Sequence, residues 1–270
     1  MVQEKQIQIR DGKVTLNYLT AGAQDTSIVF LHGWCINASY WEAQLNCFKD
    51  KYSVYALDLA GFGQSTASRD HWTIEEYARD VIAFINELQL KNVILVGHSM
   101  SGAVMMETAI KFPEPIIGLV GVDNFKFIDL ILPPEQAKMM QSLFNAMEED
   151  FATNAPLFAE NLLFHPSTPE DIKERVKSDF STADSVIGFN SFQHLIQYTQ
   201  IEARRLENLP LKLHLINSDV PPTNIAGLEN HCTKGFEIHS IGTTGHYPML
   251  ESVELFNKQL ERVITSCLVN

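Results

Sequence analysis

Ser99 lies in the run Val93-Ile94-Leu95-Val96-Gly97-His98-Ser99-Met100-Ser101-Gly102, where an apolar stretch turns through small residues into a helix-forming one. A serine hydroxyl is a weak nucleophile at neutral pH and needs a nearby base to take its proton. A serine in a tight strand-to-helix turn between small residues projects beyond the strand, where a base and a substrate can reach it. The G-x-S-x-G pattern of such a turn is met at Gly97 and Ser99; Ser101 stands where the second glycine is expected, and Gly102 follows. The base must come from another segment. His246 is in Gly242-Thr243-Thr244-Gly245-His246, a glycine-rich loop after the last apolar strand and before the last helix. Doubly wound sheets place their ligands at such carboxyl ends of strands. The other histidines lack that setting. His214 and His239 fall within strands, His231 ends a helix, and no pair has a metal-ligand spacing such as H-E-x-x-H, so neither a metal nor another cofactor is expected.

The imidazole needs an acid to hold its tautomer and stabilise its charged form. Asp219, just past an apolar strand at 211–216, is taken for that role, with Asp123, at the end of the strand 116–122, as its rival. Acyl transfer also needs N–H donors for the oxyanion, each contributing roughly 3 kcal/mol. The Met100 N–H, next to the nucleophile, is one candidate, and the Trp34 N–H, after His32-Gly33, is the other. Tyr247, Met249 and Phe125 are expected to line the substrate pocket.

Strands must deliver these groups to one edge. Alternation of polar and apolar residues predicts strands at 5–10 and 14–19, with the turn signal Asp11-Gly12 between them. Short apolar runs predict buried strands at 27–31, 52–57, 93–96, 116–122, 211–216 and 236–241. Helical spacing appears at 40–48, 73–90, 100–112, 223–232 and 250–268; Thr73 and Glu76 form a capping-box signal. From 124 to 209 the strand rhythm stops, and helices are predicted near 134–149, 155–164, 169–180 and 184–207. The expected architecture is α/β: a doubly wound, mostly parallel eight-stranded sheet, its core at 1–123 and 210–270, with an inserted helical cap at 124–209.

Composition narrows the partners. The net charge of −13 repels phosphate backbones and anionic lipid, so a small-molecule substrate is expected rather than nucleic acid or a membrane surface. No apolar run approaches the roughly 18 residues of a membrane span. Met1-Val2-Gln3-Glu4-Lys5 does not open a signal peptide, and the four cysteines are scattered, so a cytoplasmic, disulfide-free protein is expected.

Taken together, His32-Gly33-Trp34, Asp58 to Ser65 with Gly61-Phe62-Gly63, the turn at Ser99, Asp219, and Gly245-His246 before Pro248-Met249-Leu250-Glu251 resemble the α/β-hydrolase superfamily over essentially the whole chain. The order Ser99, Asp219, His246 is that of this superfamily. The resemblance implies that Asp58–Ser65 is scaffold and that 124–209 is the helical cap roofing the pocket. In the haloalkane dehalogenase and epoxide hydrolase branches the nucleophile is an aspartate; the serine here aligns the chain instead with capped carboxylesterase-like serine hydrolases. The implied activity is cleavage of a carboxylic ester of a small or medium apolar substrate through an acyl-enzyme on Ser99. Thioesterase, carbon–carbon hydrolase or perhydrolase activity on the same triad is the alternative, and a ligand-binding protein with little turnover is another.

Overall fold

The central parallel strands of this chain are buried on both faces, and their sequences obey that constraint. The computed structural model describes residues 1–269. Its strands are β1 (Gln3–Ile9), β2 (Val14–Ala21), β3 (Ser27–Leu31), β4 (Ser53–Leu57), β5 (Thr66–Ala67), β6 (Val93–His98), β7 (Ile116–Val122), β8 (Leu213–Asn217) and β9 (Phe236–Ser240). Its helices are α1 (Glu42–Phe48), α2 (Ile74–Glu87), α3 (Ser101–Lys111), α4 (Pro134–Glu149), α5 (Phe151–Leu162), α6 (Glu170–Thr182), α7 (Ser185–Leu206), α8 (Ile225–His231), α9 (Pro248–Glu251) and α10 (Val253–Val269). The sheet order is β1-β2-β4-β3-β6-β7-β8-β9, with the two-residue β5 adding to β2. The pairs β1–β2 and β2–β4 are antiparallel, and every pair from β4 to β9 is parallel. All residues of β3 and β6 are buried, which is why those strands read as unbroken apolar runs rather than alternating ones.

From β3 the chain crosses to β4 on one side and later to β6 on the other. The strand order therefore reverses between β3 and β6, and the crevice at their carboxyl ends is where such folds bind ligands. Ser99 follows β6 and His32 follows β3.

The elements match the sequence expectation with two local differences beyond the small β5. The closing helix, expected as one piece over 250–268, breaks at Ser252 (φ −142°) into α9 and α10. The Glu251 carboxylate turns back at that break and accepts from the Gly245 N–H (2.8 Å), the Tyr247 N–H (3.2 Å) and the Thr168 hydroxyl (2.8 Å). At α2 only half of the capping box forms. Thr73 accepts from the Glu76 N–H at 3.2 Å, but the Glu76 carboxylate is held by Arg10 and Arg79.

Four helices, α4 to α7, stand between β7 and β8. They contact loops at the carboxyl ends of several strands. The Trp34 indole N–H donates to the Gly188 carbonyl at 2.8 Å, the His246 N–H to the Leu163 carbonyl at 2.8 Å, and the Tyr40 hydroxyl to Asp179 at 2.7 Å. The Trp34 ring is packed by Phe151, Phe158, Phe180 and Phe192, with centroids 4.7 to 5.9 Å away. Among the described residues no helix is long and apolar enough to cross a membrane.

The turn after β4 is organised by one buried carboxylate. Asp58 accepts from the Ala38 N–H (2.7 Å), the Asn17 amide (3.0 Å) and the Gln64 N–H (2.9 Å). A Cβ on Gly63 (φ +55°) would meet the Asp58 carboxylate at 2.3 Å, so glycine lets the turn close on it. Asp58→Ala removes the acceptor of three donors, of which the buried Ala38 N–H is left without a partner, and is expected to lower stability by about 2 kcal/mol; chemical denaturation of the variant beside wild type checks this.

Candidate active site

Ser99 holds a left-handed backbone, φ +53°. That conformation strains a residue with a Cβ and is kept only where the surroundings over-determine it. Here they do. The Ser99 N–H donates to the Val122 carbonyl at 3.0 Å, which ties the turn to the end of β7. A Cβ on Gly97 would lie 2.3 Å from the Ser101 carbonyl oxygen, so only glycine permits this close strand–helix approach.

The departure from G-x-S-x-G at Ser101 has a structural account. The Ser101 hydroxyl donates to the His32 carbonyl and so pins the loop after β3 to α3. The glycine at the next position clears room for Asn124: a Cβ on Gly102 would meet the Asn124 amide nitrogen at 2.4 Å. That amide donates to the Gly97 carbonyl at 2.8 Å, directly beneath the serine turn. Asn217, the last residue of β8, in turn donates to the Asn124 carbonyl at 2.9 Å. Neither asparagine carries a motif, and sequence reasoning missed both.

His246 and its acid require a correction. The His246 Nδ1 contacts Asp123 Oδ2 at 2.6 Å; the carboxylate can only accept, so Nδ1 carries the proton and Nε2 is left as the basic nitrogen. Asp219, the acid expected from sequence, does not take part. It is exposed, and both its carboxylate oxygens accept from the Ser240 hydroxyl at 2.9 Å. The reason is local. β7 is the immediate neighbour of β6, and a left-handed Asp123 (φ +48°) swings its carboxylate to the strand ends where His246 arrives. The chain after β8 supplies only a backbone donor, the Ser218 N–H to Asp123 Oδ1 at 3.1 Å. Chain order could not separate the two acids, since both fall between Ser99 and His246.

Burial by itself would push the Asp123 carboxyl up. The hydrogen bond from His246 and the charges of His246 and Lys126 outweigh it and hold Asp123 below the ordinary carboxylate range. Lys126 is itself buried, and its ammonium sits 2.5 Å from Asp123 Oδ1. It is a further residue that no motif revealed.

Two other histidines brace the site. His32 Nε2 accepts from the Leu59 N–H at 2.9 Å, so its Nδ1 must carry the proton donated to the Gly33 carbonyl at 2.6 Å. This fixes the loop carrying Trp34. Among the described residues, the Trp34 and Met100 N–H groups, expected as oxyanion donors, have no backbone acceptor. His98 Nε2 donates to the His246 carbonyl at 2.7 Å, and its ring stands 4.8 Å from that of His246. Burial first, and then the neighbouring His246, push the His98 imidazole down to about 3.

The residues expected to line the pocket are all enclosed. Met249 is fully buried and its carbonyl accepts from Gln44 at 3.2 Å; Tyr247 is buried against Tyr40, His98 and Phe164. The Tyr247 ring stands 5.5 Å from that of His246. Phe125 (φ +53°) is buried beside α3, where a Cβ on Gly102 would touch its ring at 3.0 Å.

With fold and geometry in place, the family follows. The chain belongs to the α/β-hydrolase fold family, whose model matches residues 26–234. It is 26% identical over 259 residues to the 3-oxoadipate enol-lactonase 2 of Acinetobacter baylyi, covering 93% of each chain. It is 24% identical to the Karrikin insensitive 2 receptor CA of Petunia hybrida, covering 88% of this chain and 92% of that one. Among solved structures it superposes on an esterase from Exiguobacterium antarcticum with a TM-score of 0.81 at 20% identity, over 97% and 100% of the two chains.

His98 sets a pH dependence. Its folded value of about 3 lies below the unfolded value near 6.5. Between those values the unfolded chain binds a proton that the folded one refuses, so stability falls as pH drops through that window. His98→Gln keeps an N–H donor and removes the titration. The slope of unfolding free energy against pH between 6 and 4 should become shallower by roughly 1.4 kcal/mol per pH unit, read from denaturation at stepped pH.

Proposed function

We propose that the protein is a serine hydrolase that cleaves carboxylic esters or lactones through an acyl-enzyme on Ser99. The observation that carries this reading is the 2.6 Å contact of His246 Nδ1 with a buried, ionised Asp123, at the strand ends that also present a left-handed Ser99. In this reading His246 Nε2 takes the Ser99 proton as the hydroxyl oxygen attacks the carbonyl. The Trp34 and Met100 N–H groups bind the oxyanion, and Asp123 stabilises the imidazolium. His246 then protonates the leaving alcohol, and water repeats the sequence on the acyl-enzyme. The helices α4 to α7 act as the cap, and their aromatic side chains around Trp34 favour an apolar acyl or ring substrate. The likeness to an enol-lactonase and to an esterase agrees with an ester bond as the target.

A second reading, a ligand-binding protein with slow turnover, draws on the likeness to a named receptor and on the near-complete burial of Trp34, Met100 and Phe125.

Hydrolysis of a p-nitrophenyl ester series and of small lactones tests both readings. Wild type should turn over and Ser99→Ala should not, while keeping its fold. Asp123→Asn should lose about four orders of magnitude in kcat, and Asp219→Asn should stay near wild type. Full activity in Ser99→Ala would overturn the mechanism; failure of wild type to label with a fluorophosphonate would favour the binding protein.

Lys126 supplies a separate prediction. Its ammonium neutralises part of the Asp123 charge on which His246 relies. Lys126→Met should favour the protonated imidazole and move the acid limb of kcat/KM to higher pH. A pH profile with the limb unmoved would show that Lys126 only packs.

A further inference from the structure

Away from the Ser99 edge, three side chains converge within the body of β8 and β9. In the parallel register His214 lies opposite Glu237, and His239 follows two residues along the same strand. Alternation along a strand puts residues two apart on one face, so His214, Glu237 and His239 share a face. One ligand atom from each lies within 4.8 Å of the others.

We infer that His214, Glu237 and His239 form a binding site for a divalent transition-metal ion of the zinc type. Two imidazoles and a carboxylate are a recognised zinc donor set, with a fourth position left for water. The decisive observation is that the pointing nitrogens are orphans. His214 Nδ1 and His239 Nε2 are both shut off from solvent with no hydrogen-bond partner. Each stands 3.8 Å from a Glu237 oxygen, too far for a hydrogen bond. The His214 side chain is only 6% exposed, so its bare nitrogen is a real cost unless a ligand fills it.

His231 offers the contrast. It also has two acidic neighbours, but its nitrogens are already taken by Glu207 (2.8 Å) and Asp129 (2.9 Å). Two cations compete at the proposed site. Lys212 is bonded to Glu237 Oε2 at 2.8 Å, and the charge of Arg262 reaches His239. Lys212 is 46% exposed and can swing into water, and the half-exposed Glu237 can close the remaining distance. This competition sets the expected affinity on the order of 10 μM rather than nanomolar. A bound ion would pin β9, the edge strand, to β8. Sequence spacing could not show the site, because its ligands come from neighbouring strands far apart in the chain.

The test uses the full-length protein, stripped with chelator and dialysed. Zinc is titrated by calorimetry and cobalt by visible absorption, and melting is followed with and without zinc. One ion per chain is expected to bind. Melting should rise by several degrees, and the cobalt spectrum should show nitrogen and oxygen ligands without a thiolate charge-transfer band. Glu237→Gln and His239→Gln, both at partly exposed positions, should each weaken binding at least tenfold and abolish the melting shift. Equal binding by wild type and both variants, no stoichiometric binding at 100 μM zinc, or a thiolate band from the cysteines would overturn the assignment. None of these readouts depends on catalysis, so the outcome is independent of the role of Ser99.

Discussion

The hydrogen bond between His246 and Asp123 is the interaction around which the ends of the parallel strands are arranged. A carboxylate this deeply buried is costly unless every lone pair facing the interior is met. The structure meets them from three separate segments: His246 on one oxygen, Lys126 and the Ser218 N–H on the other. To bring those segments together the chain must end β7 beside β6, follow β8 with a backbone donor, and return the loop after β9 over both. The strained turns at Ser99 and Asp123 are neighbours in that arrangement, joined by the Ser99 N–H to the Val122 carbonyl.

Much of this was legible in the sequence because burial on both faces leaves a plain mark. The apolar runs at 27–31, 93–96 and 116–122 became β3, β6 and β7, and the loss of strand rhythm after 124 became α4 to α7. Ser99 and His246 could be singled out because glycine punctuates the turns that hold them. The acid could not. Asp219 and Asp123 both follow apolar strands, and the choice between them rests on a backbone dihedral and on strand adjacency, neither of which composition records.

Residues that act through the backbone were equally silent. Asn124, Asn217 and Ser101 are ordinary polar residues in the sequence, yet each side chain donates to a backbone carbonyl of the segments around Ser99 and Asp123. Ser101 is instructive, since its place in the motif reads as a weakened glycine. In the structure it is a hydrogen-bond donor to the His32 carbonyl, and the space requirement has moved one residue on, to Gly102.

Trp34 belongs to two machines at once. Its main chain follows the strand end that faces Ser99, while its side chain is gripped by four phenylalanines of the helical insertion and bonded to Gly188. The loop of His246 is fastened to the same insertion through Leu163. A displacement of those helices would therefore be felt at the loop after β3 and at the loop of His246 together.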